Sequence, residues 1–140
     1  EERLKYYKEY DKTRRDKEKR RKLFLESYYK RMESDHIYRM KTWIRNLIFC
    51  SFRKKSFPKN DHSEEIIGIP FDAFTKYLLS TFKNRYGREW DGIEKVHIDH
   101  IIPLATAKTE EEVIRLNHFS NLQLLTAEEN IEKGAKLYWV

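Results

Sequence analysis

From Asp11 to Lys22 the chain runs twelve residues without one apolar side chain, and that gap limits the folds open to it. Leu4, Tyr6, Tyr7 and Tyr10 precede the gap, and Leu23, Phe24, Leu25, Tyr28, Tyr29 and Met32 follow it. Inside it, acids stand four residues before bases at Asp11–Arg15, Asp16–Arg20 and Glu18–Lys22. Each such pair supports an exposed helix by ~0.3 kcal/mol. Residues 1–33 therefore read as one helix whose middle has no face to bury, and such a helix requires a partner of its own chemistry. A polyanion such as DNA phosphate suits it; a solvated charged helix is the plainer reading.

Net charge sharpens this expectation. The chain is +6 overall, yet residues 1–35 hold 13 Lys/Arg against 9 acids, and residues 36–60 hold 7 against none. Residues 61–91 and 92–140 are both net acidic, with 4 bases to 6 acids and 5 to 8. A basic half that grips a polyanion and a second half with another task is the division this implies. With 37% of residues charged and 39% apolar, the core must be small and built around a few aromatics. The one cysteine, Cys50, excludes an internal disulfide and a cysteine-based structural zinc site. No apolar run approaches the ~18 residues of a membrane span and no signal-peptide pattern opens the chain, so the expected location is the cytoplasm.

The remaining elements follow from periodicity and punctuation. Ser34 or Asp35 can cap a helix over 36–52, whose stripe is Ile37, Met40, Ile44, Leu47 and Ile48. A basic loop, 53–60, follows. Pro70 opens a further helix with Phe71, Phe74, Leu78 and Phe82 on one side, ending at the turn with Gly87. The run from Val96 to Ile102 alternates and is rich in β-branched residues, so it reads as a strand that Pro103 terminates. Thr109 with Glu112 and Thr126 with Glu129 read as capping boxes of two short helices, the second stopped by Gly134. Between them Asn121 to Leu125 forms a second strand. The expected class is α+β, mostly helical, in four segments: a basic arm 1–35, a basic helix and loop 36–60, a helical support 61–92 and a C-terminal module 93–140.

The chemistry concentrates in that last segment. His97 and Asp99 share a strand face, because side chains alternate with period two. His100 points the other way unless the strand twists or ends there. Asn130 falls on the first turns of the final helix, within reach of the strand end if hairpin and helix pack. Phosphodiester hydrolysis needs these types. Imidazole accepts a proton near neutral pH, and a hard divalent cation offsets the charge on phosphorus and on the leaving oxygen. Carboxylate and amide oxygens suit Mg²⁺, with Mn²⁺ as an alternative. We therefore expect Asp99 and Asn130 to hold the ion and His100 to activate water. Asn121 is expected to hydrogen-bond the backbone near His100 and so orient the ring.

Three blocks carry a resemblance: His97-Ile98-Asp99-His100-Ile101-Ile102-Pro103-Leu104, His118-Phe119-Ser120-Asn121-Leu122-Gln123-Leu124-Leu125, and Asn130-Ile131-Glu132-Lys133-Gly134. In this order they resemble the HNH (His-Asn-His, ββα-metal) endonucleases, and the segment from Ile67 to Phe82 with Trp90 is similar to what precedes the motif in phage-type or homing-type members. The resemblance covers about half of the chain. It implies a C-terminal ββα-metal module behind N-terminal basic helices. It further implies His100 as general base, Asn121 as the residue orienting it, Asp99 and Asn130 as metal ligands, and His97 and Lys133 as phosphate contacts. Such enzymes act on DNA, leaving 5′-phosphate and 3′-hydroxyl ends. Leu124 and Thr126 depart from the family, many of whose phage members carry Pro and Trp there. Lys136, Arg14, Arg15, Arg20, Arg21, Lys22, Arg45, Arg53, Lys54 and Lys55 are the further expected DNA contacts, and His118 is a possible accessory or a loop hydrogen-bonder. No organic cofactor and no membrane partner are expected. Two other readings stay open: a DNA-binding protein with a vestigial module, and a nuclease acting on RNA.

Overall fold

In the computed structural model, which describes residues 2–139, the apolar-free stretch lies inside a single helix, α1 (Glu2–Ser34), that buries no residue. The chain divides into two compact units, 1–39 and 40–140. Unit 1 comprises α1 and the start of α2 (His36–Lys54). Asp35 caps α2, its carboxylate accepting from the Tyr38 amide at 2.9 Å. Arg31 lies over the Tyr38 ring, 4.2 Å from its centroid.

Unit 2 is built on the expected stripes, except that Ile37 is 50% exposed and falls in unit 1. Met40, Ile44, Ile48 and Phe52 of α2 meet Phe74, Leu78 and Phe82 of α4 (Phe71–Tyr86) in one core. Gly87, at φ 67, ends α4 in the left-handed conformation that glycine adopts without cost. A short helix the sequence reading missed, α3 (Ser63–Ile67), precedes α4 and adds Ile66 and Ile67 to the same core. Three of the four expected segments thus share one interior.

Two strands complete the unit: β1 (Val96–His100) and β2 (Leu122–Thr126). They pair antiparallel, setting His97 opposite Leu125 and Asp99 opposite Gln123. β1 stops at His100, two residues before the expected end. The chain there is taken over by bonds to Asn121, so the ladder closes before Pro103 is reached. Between the strands, α5 (Glu110–Leu116) starts from the complete Thr109–Glu112 capping box. Behind β2, α6 (Ala127–Lys133) starts from Thr126, whose hydroxyl accepts from the Glu129 amide at 3.3 Å. That second capping box is only half made. The Glu129 carboxylate turns instead to Arg85, 2.9 Å away, and to the Tyr86 hydroxyl. The molecule is therefore mostly helical with a small antiparallel sheet, as its α+β patterning implies. Among the described residues no helix is long and apolar enough to cross a membrane.

Candidate active site

Alternation on β1 and helical spacing on α6 bring four side chains together. His97 and Asp99, two apart, face α6. Asn130 and Lys133, three apart on that helix, reach down to them. Asn130 Nδ2 donates to His97 Nδ1 at 3.0 Å, and Lys133 Nζ donates to Asp99 Oδ1 at 3.1 Å and to the His100 carbonyl at 2.8 Å. The other Asp99 oxygen accepts from Gln123 Nε2 at 2.9 Å, the residue opposite in the ladder. His97 is exposed, whereas Asp99 and Lys133 are buried.

Lys133 corrects an expectation. Its side chain is 3% exposed and its ammonium donates to a carboxylate and a backbone carbonyl, so it is an internal counter-ion and not the surface base expected. The apolar stem of lysine is what permits this, since it can run through the interior and leave the charge at a partner. Lys55, half-buried, is partly engaged within the fold: its ammonium donates to the carbonyls of Ala105 and Ala107, at 3.0 and 2.7 Å. It ties down the loop that leaves the site, because those carbonyls lie outside any ladder and need a donor. Arg53, Lys54 and Lys136 are exposed. Arg45 is also exposed and stacks over Phe71 at 4.6 Å.

His100 lies on the other side of the strand, with its ring turned to Asn117 and buried to 8% exposure. The expected convergence of Asp99, Asn130 and His100 is not made by contacts: Asp99 bonds Lys133 and Gln123, Asn130 bonds His97, and the His100 ring bonds Asn117 on the opposite face. Asn117, which sequence reasoning passed over, decides the chemistry of the ring. It is fully buried, and its Nδ2 donates to the Val113 carbonyl at 2.8 Å. The amide is therefore fixed one way round, and Oδ1 is the atom that meets His100 Nε2 at 2.9 Å. An amide oxygen only accepts, so Nε2 carries the proton and Nδ1 holds the free lone pair. The Ser51 hydroxyl of α2 lies 3.2 Å from the same oxygen and 2.7 Å from the Leu47 carbonyl, the nearer of the two acceptors for its one proton.

Burial pushes the His100 pKa below the ordinary histidine value; the Asn117 bond and the Asp99 charge oppose that, while Lys133 and Lys54 add to it. The ring is neutral at pH 7, the state a proton acceptor requires. An Asn at the C-terminal end of a short helix is an ordinary cap, and nothing in its spacing marked Asn117 out.

Asn121 is bonded to the backbone just after His100. Its Oδ1 accepts from the Ile102 amide at 2.8 Å, and its Nδ2 donates to the Ile102 and Leu116 carbonyls at 3.1 and 2.9 Å. Its own carbonyl accepts from the Ile101 amide at 2.8 Å. The chain just after His100 is clamped, and the ring's backbone with it. His118 caps a 3-10 turn, bonding Ser120 Oγ at 2.8 Å. It packs on Gly68, where an added Cβ would meet the ring at 2.6 Å. It is a loop residue whose Nδ1 is engaged locally.

Among the described residues no group of three or more His, Cys, Asp or Glu side chains is gathered for an ion. A cation here would rest on the Asp99 carboxylate and the Asn130 amide oxygen. The donor set suits a hard ion that keeps most of its waters. Asp99 Oδ1 and Oδ2 each accept one bond, so each retains a lone pair. Asn130 uses its nitrogen on His97, and its oxygen accepts from no described residue. Those lone pairs are what a cation could use, with the Lys133 ammonium already 3.1 Å from Asp99 Oδ1. No family model, curated protein or solved structure matches the chain.

Proposed function

We propose that residues 93–140 are a ββα-metal module and that the chain is a DNA endonuclease of the HNH type. The observation that carries this reading is the arrangement at the end of β1. A buried carboxylate, Asp99, adjoins a neutral imidazole, His100, whose tautomer is set by the Asn117 amide. The helix with Asn130 lies over the face that bears Asp99. Asp99 and Asn130 would hold a divalent ion, Mg²⁺ or Mn²⁺, which supplies charge for the phosphoryl oxygens and the departing 3′ oxygen when bound. His100 Nδ1 takes the proton of the attacking water, and burial keeps that nitrogen unprotonated beforehand. Asn121 holds the strand end so that the ring does not swing. His97, exposed beside Asn130, is placed to touch a phosphate.

The basic residues of the first sixty positions make a polyanion the fitting substrate, and duplex DNA is the one the motif resemblance favours. Relaxation of supercoiled plasmid by the full chain, with Mg²⁺ or with EDTA, tests this. Nicking that depends on the metal is expected. A chain that binds plasmid and never nicks it, with either Mg²⁺ or Mn²⁺, is instead the binding protein with a vestigial module. Preferential cleavage of RNA in the same assay would move the reading to a ribonuclease.

A further inference from the structure

We propose that one face of α1, the line Tyr10, Arg14, Lys17, Arg21, Phe24 and Tyr28, is a duplex-DNA-binding surface in its own right. The inference rests on DNA being the substrate and adds which side of the helix meets it. The six residues follow one another at steps of four, three, four, three and four, the spacing that places side chains on a single stripe. None of the seven acids of the helix falls on that stripe. Asp11 and Glu18 border it on one side, Glu18 in a 3.4 Å pair with Arg14 that is exposed on both sides.

Three of the bases off the stripe are otherwise engaged. Arg15 and Arg20 lay their Nε groups on the carbonyls of Asp11 and Asp16, each at 3.3 Å, and Lys22 pairs with Glu26 at 3.9 Å. Lys17 and Arg21 have no ion pair with any described residue.

Charge decides what the occupant is. A second copy laid along the stripe would set Arg14, Lys17 and Arg21 against their like, with no acid to relieve them. A polyanion reverses that repulsion. Tyr10 and Tyr28 suit phosphate as well, since tyrosine hydroxyls donate to phosphate oxygens as arginine and lysine do. Tyr6 and Tyr10 stack at 6.4 Å, as do Phe24 and Tyr28 at 6.2 Å, so the rings at both ends of the basic segment are held against the helix. At ~1.5 Å per residue the stripe is about 27 Å long, most of one turn of B-DNA.

The test compares two variants that lose the same charge. One carries Arg14→Gln, Lys17→Gln and Arg21→Gln, on the stripe. The other carries Lys8→Gln, Lys12→Gln and Lys19→Gln, on the opposite side. Glutamine matches Lys and Arg in helix propensity, and far-UV circular dichroism checks that both stay helical. Binding of the full chain to a short duplex is followed by fluorescence anisotropy in EDTA across a salt series, with plasmid cleavage in Mg²⁺ run in parallel. The on-stripe variant is expected to bind at least about tenfold more weakly and to flatten the salt dependence by about 2.7 in log–log slope, three phosphate contacts' worth. The opposite variant is expected to stay within about twofold of wild type. Equal losses in the two would overturn the proposal, showing grip by net charge alone, and no loss in either would remove α1 from the interface. Tighter wild-type binding to a single strand than to the duplex would overturn it too, making the stripe a base-stacking surface. In each of these outcomes wild-type cleavage in Mg²⁺ continues; its absence would instead strike at the nuclease reading.

Discussion

Replacing Lys133 by Met should destabilise unit 2 more than any surface change of equal size. The side chains of Lys133 and Asp99 are 3% and 8% exposed, and the ammonium serves a carboxylate and a carbonyl at 3.1 and 2.8 Å. Methionine keeps the stem and removes the charge. Asp99 is then a buried carboxylate with Gln123 as its remaining donor, and breaking a buried pair in this way costs about 3–5 kcal/mol. For a unit of this size that lowers the melting temperature by at least roughly 10 °C. Urea denaturation of the wild type, of Lys133→Met, of Asp99→Asn and of the double variant measures it as a cycle. The double variant, with no buried charge left over, should recover most of the loss, a coupling of at least about 2 kcal/mol. Mg²⁺ at ten times its dissociation constant should restore about 1.4 kcal/mol to Lys133→Met, because Asp99 then lacks an internal cation. A single variant within about 1 kcal/mol of wild type, or strictly additive effects, would refute the argument.

Other expectations follow from the same contacts. Burial lowers the His100 pKa in the folded state, so the unfolded chain binds the proton more readily. Stability from this residue is full above the ordinary value of about 6.5 and is lost as pH falls below it; urea midpoints between about pH 5 and 7 should slope downward on acidification, and His100→Gln should flatten that slope. Asn121→Ala strips the Ile102 amide and the Ile102 and Leu116 carbonyls of partners, costing about 2–3 kcal/mol in the same denaturation assay. Lys55→Met frees the loop carbonyls of Ala105 and Ala107. Hydrogen exchange around residues 104–108 should rise, while the salt slope of DNA binding changes by less than about one phosphate contact.

What could be read in the sequence was what local chemistry dictates. The stripe Met40, Ile44 and Ile48, the aromatic line of α4, the Thr109 cap and the alternation of β1 all act within a few residues, and all lie where patterning placed them. Asn121 was legible for a similar reason, since a motif supplied its long-range partner. What escaped depended on partners distant in sequence. Lys133 near a helix end looks like any solvated base until Asp99, 34 residues earlier, is folded beneath it. Asn117 looks like a cap until Ser51, 66 residues away, and His100 meet its oxygen. Glu129 abandons its capping box because Arg85 and Tyr86 of α4 offer a stronger partner. The short helix α3 has too few residues to show a period.

The central claim is that His100 is the proton acceptor of a metal-assisted cleavage. Glutamine at position 100 can still donate to the Asn117 oxygen but cannot take up the water's proton. Initial rates of plasmid nicking in Mg²⁺, for wild type and His100→Gln at matched folding and DNA affinity, test it most directly. A loss of about 10²–10⁴-fold is the expected result. Equal rates in the two proteins, or a wild type that never nicks, would contradict it.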